Sequence, residues 1–281
     1  MINRSEIAAV FSSRNLNAIA NGDYASMKEI VKNYHLHFND EFTVSNVFEF
    51  CYKMLHEKFR NEYFYKNTIA NKILKAGKSS RNSTMFTEFR VGGCKADCVI
   101  VNGIATCYEI KTEYDNLTKL NTQIKEYTKV FDKINVVVPD KYVQAVCEKV
   151  PIYIGVIQMT RTGSLRVVRA AMLIRTRLDT ELLMRSLRRN EYIGLAKALI
   201  GYAPVAENTE IFRECGRLIA VSDDEKIRKC FRSVMKKTRA LDANLIALLP
   251  SFLTMAAVES NLSYNARINF LKNIDAILNK D

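Results

Sequence analysis

The chain has 281 residues, a formal net charge of +12 and a hydrophobic content of 48%. This content is enough to bury a sizeable core in one large domain or two smaller ones, and no apolar run is long enough to span a bilayer. The basic balance favours a polyanionic partner, which is nucleic acid or an acidic membrane surface. No secretory signal is recognisable after Met1, so we expect a reduced cytoplasmic protein with free thiols.

Residues 1–75 have a mostly helical pattern. Thr43 is a candidate helix N-cap, and apolar residues follow it at positions 44, 47, 48, 51, 52, 55, 59 and 63. This spacing gives a one-sided apolar stripe of helical period, with one expected break near Arg60. The stretch is therefore predicted to form helices that precede a sheet.

From Met85 the apolar period changes to two, which is typical of strands. The runs TEFRV, CKADCVIV and ATCYEIKT are separated by the dipeptides Gly92-Gly93 and Asn102-Gly103, and both dipeptides are hairpin signals. The sequence therefore predicts three antiparallel strands in a meander.

A crossover helix and further strands follow the meander. The helical stripe of NLTKLNTQIKEYTKVFDK precedes the short apolar strand INVVVP, the helix KYVQAVCEKV and a second hairpin around Arg161 to Gly163. A strand, a crossover helix and another strand predict an α/β fold with a mixed sheet that helices cover on both faces.

These patterns divide the chain into three segments. Residues 1–41 are an N-terminal helical segment, 42–171 are an α/β domain, and 172–281 are an all-helical C-terminal domain. In the last segment, Ser222 and Glu225 form a capping-box signature for a helix.

Three of the charged residues in the predicted meander lie within or beside runs of apolar residues. Asp97 lies in its second strand, and Glu109 and Lys111 lie in its third. Alternate residues of a strand share a face, so pairing through the Asn102-Gly103 turn would bring these three side chains together. Converging carboxylates repel each other unless a cation joins them, and hard oxygen ligands suit Mg²⁺ or Mn²⁺. Such a site supports metal-assisted hydrolysis of a phosphodiester, in which a lysine orients the attacking water or stabilises negative charge.

The pattern of Asp97 followed by Glu109-Ile110-Lys111 on two adjacent strands resembles the PD-(D/E)XK nuclease superfamily. The resemblance covers about residues 42–171, and the stretches NEYFYKN, TEFRVGGCKAD and YEIKTE are similar to an uncharacterised bacterial family assigned to that superfamily. It implies a restriction-endonuclease-like fold, with a three-stranded meander, a crossover helix and further strands flanked by helices. Ala96 stands in place of the proline of the motif, which has no chemical role.

The resemblance also implies a role for each matching residue. The metal ligands would be Asp97, Glu109, the carbonyl of Ile110 and Glu62 from the helix before the meander. The catalytic residues would be those two acids of the meander together with Lys111, Gln123 and Tyr127, of which the last two match the Q-x-x-x-Y pattern of RecB-like members.

The residues of the predicted site have structural alternatives. Glu109 and Lys111 could be an ion pair at an exposed sheet edge, although apolar residues at most positions from 98 to 108 favour a covered central strand. Glu62 could pair with the lysine four residues later on its helix. Gln123 and Tyr127 could make only a hydrogen bond of the core.

Other acids and the cysteines are weaker candidates. Glu88 and Glu113 could join the metal site, but surface or salt-bridge roles are favoured for both. Cys94 and Cys98 form a C-x3-C pattern with Cys107 nearby, but no second Cys/His pair follows to complete a zinc site. Buried strand cysteines are the favoured interpretation.

A predicted helix of the C-terminal segment carries a basic face formed by Lys229, Arg232, Lys236 and Arg239. A basic helical face is usually solvated, but it could also contact phosphates or a membrane surface. We expect these four residues to extend a nucleic-acid footprint beyond the active site.

The sequence favours a metal-dependent nuclease that hydrolyses DNA, with a place in bacterial repair, mobile-element biology or phage defence. The alternative is a catalytically silent nucleic-acid-binding module or an interaction scaffold on the same fold. We expect nucleic acid rather than a membrane as partner, and a protein partner is a possible source of specificity because the sequence has no evident base-reading motif. The choice between DNA and RNA, the form of the substrate and the oligomeric state stay open.

Overall fold

The structure, a computed structural model, describes residues 3–75, 83–260 and 262–279. Its helices are α1 (Arg4–Ala9), α2 (Ser13–Ala20), α3 (Ala25–Asn33), α4 (Val44–Met54), α5 (Glu62–Ala70), α6 (Leu120–Tyr127), α7 (Val143–Lys149), α8 (Thr180–Ser186), α9 (Arg189–Ile200), α10 (Ile211–Ala220), α11 (Asp224–Thr238), α12 (Ala243–Leu248), α13 (Thr254–Glu259) and α14 (Tyr264–Asn273). Its strands are β1 (Glu41–Thr43), β2 (Thr84–Val91), β3 (Cys94–Val101), β4 (Ala105–Ile110), β5 (Lys133–Pro139), β6 (Gly155–Met159), β7 (Leu165–Arg169) and β8 (Ile277–Asn279).

The chain forms two compact units. The helical unit comprises Met1–Ser80, Thr112–Tyr114 and Asp242–Asp281, and the sheet unit comprises Arg81–Lys111 and Asp115–Leu241. The predicted boundaries after residues 41 and 171 do not coincide with these units. Helices α4 and α5 contact other helices of the helical unit, whereas α8 to α11 share the hydrophobic core of the sheet. Burial of apolar faces, rather than order along the chain, therefore decides the division.

The helical unit confirms the predicted start and break of its longest helical stretch. The Thr43 hydroxyl accepts a hydrogen bond from the backbone N–H of Asn46, and the Asn46 side chain accepts one from the N–H of Thr43. This capping box begins α4. A π-helical turn at Leu55–Phe59 follows, and it ends at Arg60, whose φ of 35° is left-handed.

The end of the chain is not entirely helical, which corrects the predicted all-helical C-terminal domain. Strand β8 pairs with β1 in an antiparallel two-stranded sheet, in which Phe42 lies opposite Leu278. Both of these side chains are buried. A strand of three residues is too short to produce a recognisable alternation, so the pattern alone did not indicate it.

The sheet unit contains a six-stranded mixed sheet in the order β2-β3-β4-β5-β6-β7. The first three strands form the predicted antiparallel meander, with left-handed Gly92 and Gly103 in its two turns. Strands β5 and β6 continue parallel to β4 after α6 and α7, and β7 returns antiparallel to β6. The predicted α/β class, crossover helix and second hairpin are confirmed.

One core joins the sheet to the helices that follow it. It contains residues of every strand of this sheet except the edge strand β7, together with residues of α6 to α11. The ring of Phe89 lies 5.9 Å from that of Phe131 and 6.5 Å from that of Phe231, measured between centroids. The helices from Thr180 to Thr238 are thus part of the sheet unit and not a separate domain.

A buried aspartate connects α11 to the sheet. The carboxylate of Asp132 accepts hydrogen bonds from the backbone N–H of Ala105 at 2.7 Å, from Arg228 at 3.2 Å and from Arg232 at 3.1 Å. Asp223, and not Ser222 as predicted, caps this helix by accepting from the N–H groups of the residues two and three positions later. The charged groups of α11 therefore hold it in register with β4 and β5.

The cysteines match the favoured interpretation of buried thiols. All seven are free, and Cys98 and Cys107 are buried in β3 and β4, while Cys94 is half-buried. In the ranges that the structure describes, none of the helices combines the length and the apolar character required to cross a membrane.

A second buried ion pair of the sheet unit joins α9 to the residue that follows α11. Glu191 of α9 accepts hydrogen bonds from the Arg239 guanidinium at 2.7 and 3.0 Å, and this guanidinium also lies 4.5 Å from the centre of the Phe86 ring. Burial raises the pKa of Glu191, but the hydrogen bonds from Arg239 and from the backbone N–H of Arg188 outweigh burial, so that its pKa is lowered from the ordinary value.

We expect Glu191→Gln to lower the free energy of unfolding by about 3 kcal/mol at pH 7, because it leaves a buried guanidinium without its counter-charge. A carboxylate whose folded-state pKa is depressed stabilises the fold above its unfolded pKa of about 4.3 and loses that contribution as pH falls below it. The difference in the free energy of unfolding between wild type and variant should therefore be constant above about pH 5.5 and should become smaller below about pH 4. Urea unfolding at several pH values measures this difference, and a difference that does not change with pH would contradict the role of the ionised pair.

Candidate functional site

The predicted convergence of Asp97 and Glu109 is built into the register of β3 and β4. Val99 lies opposite Cys107 in this antiparallel pair, and Asp97 and Glu109 each lie two residues from them along their own strands, so all four side chains share one face. Residues directly opposite each other on antiparallel strands point to the same face. The Asp97 carboxylate also accepts a hydrogen bond of 2.6 Å from the backbone N–H of Ile110 at the end of β4. The antiparallel arrangement through Asn102-Gly103 is confirmed, and a cation shared by the two acids stays a prediction.

The Glu109 carboxylate is the buried centre of the site, with an exposed fraction of 1%. One oxygen accepts hydrogen bonds from the Lys111 ammonium at 2.6 Å and from the Gln123 amide at 2.5 Å, and the other lies 2.9 Å from the Tyr127 hydroxyl. Burial raises the pKa of Glu109, and the Lys111 charge with the three hydrogen bonds offsets only part of that rise. The structure thus brings four of the predicted catalytic residues into one network.

Lys111 is fixed by two acceptors. Its ammonium donates to Glu109 and, at 2.9 Å, to the amide oxygen of Gln123, while the Gln123 nitrogen donates to the same carboxylate. The amide can serve both neighbours because it has a donor end and an acceptor end. Gln123 therefore holds the lysine and the glutamate in a fixed relative position.

Helix α6 presents Gln123 and Tyr127 to the strands from one side, because residues four apart lie on the same helical face. The Tyr127 hydroxyl lies 2.6 Å from the backbone carbonyl of Lys95 in addition to its contact with Glu109. Burial first, and then the charge of Glu109, raise the pKa of Tyr127 far above its ordinary value. The phenol therefore stays neutral and acts as a hydrogen-bond donor.

Glu88 belongs beside the predicted site, although a surface role was favoured for it. Thr87 pairs with Cys98 and Phe89 with Ala96, so Glu88 lies opposite Asp97 across the β2–β3 pair. A carboxylate oxygen of Glu88 lies within 4.8 Å of one of Asp97. The register about the Gly92-Gly93 turn was the signal in the sequence that could have identified it. Glu88 has a left-handed φ of 54°, which costs a residue with a side chain about 1 kcal/mol, and it forms an ion pair with Lys95.

Glu62 lies at the N-terminus of α5 in the helical unit. Its carboxylate lies 2.5 Å from the ammonium of Lys66, which is also 3.4 Å from Glu259. The alternative ion pair with the lysine four residues later is therefore present in the structure. The role of Glu62 as a metal ligand stays a prediction that rests on the resemblance.

The predicted basic face is only partly a surface, which is a correction. Arg232 lies in ion pairs with Asp132 and Glu225, and Arg239 follows the end of α11 and is paired with Glu191. Both arginines neutralise acids of the sheet unit, so they do not form one solvent-facing stripe with the lysines. Lys229 is exposed and Lys236 is half-buried. A nucleic-acid contact by any of the four stays a prediction.

Comparison with known proteins shows that the chain is similar in sequence to a phage protein. The family described as Bacteriophage P4 protein cII matches residues 56–250. The protein cII of Enterobacteria phage P4 is 26% identical over 131 residues, which are 45% of this chain and 47% of that protein, so the chain spans about half the length of this relative. A protein of unknown function from Silicibacter pomeroyi aligns over 43% of this chain and 78% of its own, with 15% identity and a TM-score of 0.32.

We expect Tyr127→Phe to lower the free energy of unfolding by about 1–2 kcal/mol, because the change removes a donor that faces two buried acceptors. Tyr202→Phe is the matched control, since Tyr202 is 63% exposed and should lose less than about 0.5 kcal/mol. Urea unfolding of the three proteins measures both differences. Equal stability of Tyr127→Phe and wild type would show that the hydroxyl contributes nothing to the network.

Proposed function

The chain belongs to the bacteriophage P4 protein cII family, and we propose that it is a metal-dependent nuclease that hydrolyses the phosphodiester bonds of DNA. The observation that carries this proposal is that the Asp97 carboxylate lies 2.6 Å from the backbone nitrogen of Ile110, next to Glu109, whose own carboxylate lies 2.6 Å from the Lys111 ammonium. The antiparallel meander, the helix α6 and the parallel strand β5 support a restriction-endonuclease-like fold as part of the same proposal.

The side chains at the site fit a hard divalent cation. Asp97 and Glu88 offer carboxylate oxygens within 4.8 Å of each other, and Glu109 and the Ile110 carbonyl are the further ligands expected from the resemblance. A small set of oxygen donors suits Mg²⁺ or Mn²⁺ better than a softer metal. When bound, such an ion would lower the pKa of a water molecule and neutralise charge on the phosphoryl oxygens.

The protein side chains contribute a preorganised positive charge. Lys111 keeps its ammonium between Glu109 and Gln123, where its third proton is available to a phosphate oxygen or to the attacking water. Because Gln123 and Tyr127 also hold the Glu109 carboxylate, the pair of Lys111 and Glu109 needs little rearrangement when substrate binds. Preorganised charge of this kind stabilises a transition state in which negative charge develops.

DNA is the proposed substrate because the net charge of +12 favours a polyanion. A cytoplasmic location belongs to the same proposal. The similarity to a phage protein favours a place in mobile-element biology over repair or phage defence.

A catalytically silent nucleic-acid-binding module is the second candidate, and one observation favours it. Both oxygens of Glu109 already accept hydrogen bonds from groups of the protein, one from Lys111 and Gln123 and the other from Tyr127. A metal ion that used Glu109 would have to replace or share at least one of these donors. In the silent module the network is purely structural, and DNA binding would not depend on a divalent ion.

We expect the purified protein to cleave DNA in the presence of Mn²⁺ or Mg²⁺ and to stop when a chelator is added. Asp97→Asn and Lys111→Met should each lower the rate by at least about a hundredfold, because the first removes a proposed ligand of the cation and the second removes a positive charge beside the reacting phosphate. Conversion of a supercoiled plasmid to nicked or linear DNA measures cleavage of duplex DNA. Degradation of a labelled single strand measures cleavage of single-stranded DNA.

The matched controls are Asp275→Asn and Lys125→Met, which make the same chemical changes at exposed positions. They should cleave at the rate of the wild type. Cleavage by Asp97→Asn at the wild-type rate would assign the activity to a contaminant. Metal-independent DNA binding without cleavage by any of the proteins would favour the silent module.

A further inference from the structure

Strand β7 is an outer strand of the six-stranded sheet, and it is unusually exposed for a strand with aliphatic side chains. Val167 is 55% exposed and Val168 is 41% exposed, and just beyond the strand Met172 and Leu173 are 56% and 43% exposed. Most of β2, at the other edge, is buried. Contiguous exposed aliphatic residues mark interaction sites more often than ordinary surface.

The backbone of β7 has hydrogen-bonding groups on the side away from β6. Thr160 donates to the carbonyl of Ser164 at 2.8 Å, which makes this pair the hydrogen-bonded one that closes the β6–β7 hairpin. Bonded and non-bonded pairs alternate along an antiparallel ladder, so the pair of Ile157 with Val167 is of the non-bonded kind. The N–H and C=O of Val167 therefore point outward from the sheet.

The register shifts by one residue immediately after Val167. Val167 pairs with Ile157 and Arg169 with Val156, so Val168 is the additional residue of a bulge. Bulges and charges are common means of protecting a sheet edge. The bulge does not cover side chains, and the two adjacent valines are exposed.

The edge is also strongly basic. Residues 158–178 contain no aspartate or glutamate and contain five arginines: Arg161, Arg166, Arg169, Arg175 and Arg177. Arg169 is used within the fold, since its guanidinium donates to the carbonyls of Ile154 and Cys147. Arg166 is exposed and donates through Nε to the side-chain oxygen of Gln158.

We propose that β7 is a docking strand for an extended peptide of a partner protein, in which aliphatic and acidic residues alternate. The peptide would add a seventh strand, with its backbone paired to that of Val167, its aliphatic residues on the two valines and its acids beside the arginines. This surface lies three strands away from β4 in the sheet order, and the proposal does not depend on the nuclease activity.

Charge decides between this occupant and a second copy of the chain. If the β7 strands of two copies of the chain paired antiparallel, their arginines would lie close together. Residues 158–178 of each copy contain no acid that could offset this repulsion. Like charges on neighbouring strands are destabilising. Nucleic acid would satisfy the arginines, but it would leave the exposed aliphatic residues and the outward peptide groups without suitable partners.

The experiment uses the full chain and a fluorescein-labelled peptide of eight residues in which valine and glutamate alternate. Two control peptides keep the length: one has proline in place of valine, which removes half of the N–H donors, and one has lysine in place of glutamate. Fluorescence anisotropy measures the affinity of each peptide. The valine–glutamate peptide should bind at least about tenfold more tightly than either control, a difference of about 1.4 kcal/mol.

Two variants remove the proposed contacts in different ways. Val167→Pro deletes the outward N–H without removing a bond of the β6–β7 ladder, and the double variant Val167→Glu with Val168→Glu reverses the character of the edge. Both should weaken the valine–glutamate peptide at least about tenfold. The matched control is Val205→Glu with Val221→Glu, at positions that are 94% and 82% exposed, and it should bind like the wild type.

Five results would overturn the proposal. The first three are failure of the wild type to bind the valine–glutamate peptide, equal binding of the proline peptide, and equal binding by the double variant at Val167 and Val168 with the fold verified by circular dichroism. The fourth is a wild-type dimer in sedimentation that the same double variant abolishes, which would make a second copy the occupant. The fifth is loss of oligothymidylate binding by the double variant with its peptide binding unchanged, which would assign the edge to nucleic acid.

Discussion

The buried carboxylate of Glu109 is the constraint on which the arrangement of the sheet unit depends. With 1% of its surface exposed, it must be paired and hydrogen-bonded, because an isolated buried charge costs several kcal/mol. Lys111, Gln123 and Tyr127 meet this requirement only if the end of β4 and the inner face of α6 stay in their present relation. A slip of β4 by one residue would turn Glu109 to the other face of the sheet. The need to satisfy one carboxylate thus also fixes the position of the ammonium that the proposed chemistry uses.

Two other buried acids show why net charge is an incomplete guide to the surface of this protein. Asp132 accepts from Arg228 and Arg232, and Glu191 accepts from Arg239, so three arginines near or within α11 serve the interior of the sheet unit. Removal of such a partner is costly because it leaves a charge buried. The arginines around β7 lie in a segment, residues 158–178, that contains no acid, and Arg175 pairs with Glu225 of α11. The excess of positive charge is therefore distributed unevenly, and the exposed part of it lies on more than one element.

The sequence predicted the elements whose signals are local. Gly92-Gly93 and Asn102-Gly103 identify two hairpins, and strand parity then places Asp97 and Glu109 on one face. The division into units was not predictable in this way, because α4 and α5 have the same apolar stripe whichever partner they bury it against. The arginine pairs depend on contacts between residues about fifty or a hundred positions apart, which a helical wheel does not reveal. The strand register about the Gly92-Gly93 turn could have placed Glu88 beside Asp97. The left-handed backbone of Glu88, which departs from strand geometry, could not have been predicted in this way.

A divalent cation bound on the face shared by β3 and β4 would be located by anomalous diffraction from crystals soaked in Mn²⁺. We expect one anomalous peak within about 2.3 Å of a carboxylate oxygen of Asp97, with Glu88 or Glu109 as a further ligand. The peak should disappear in crystals of Asp97→Asn grown and soaked in the same way. Saturating Mn²⁺ that leaves Asp97 without a peak, or a peak that persists unchanged in the variant, would rule out the proposed metal site.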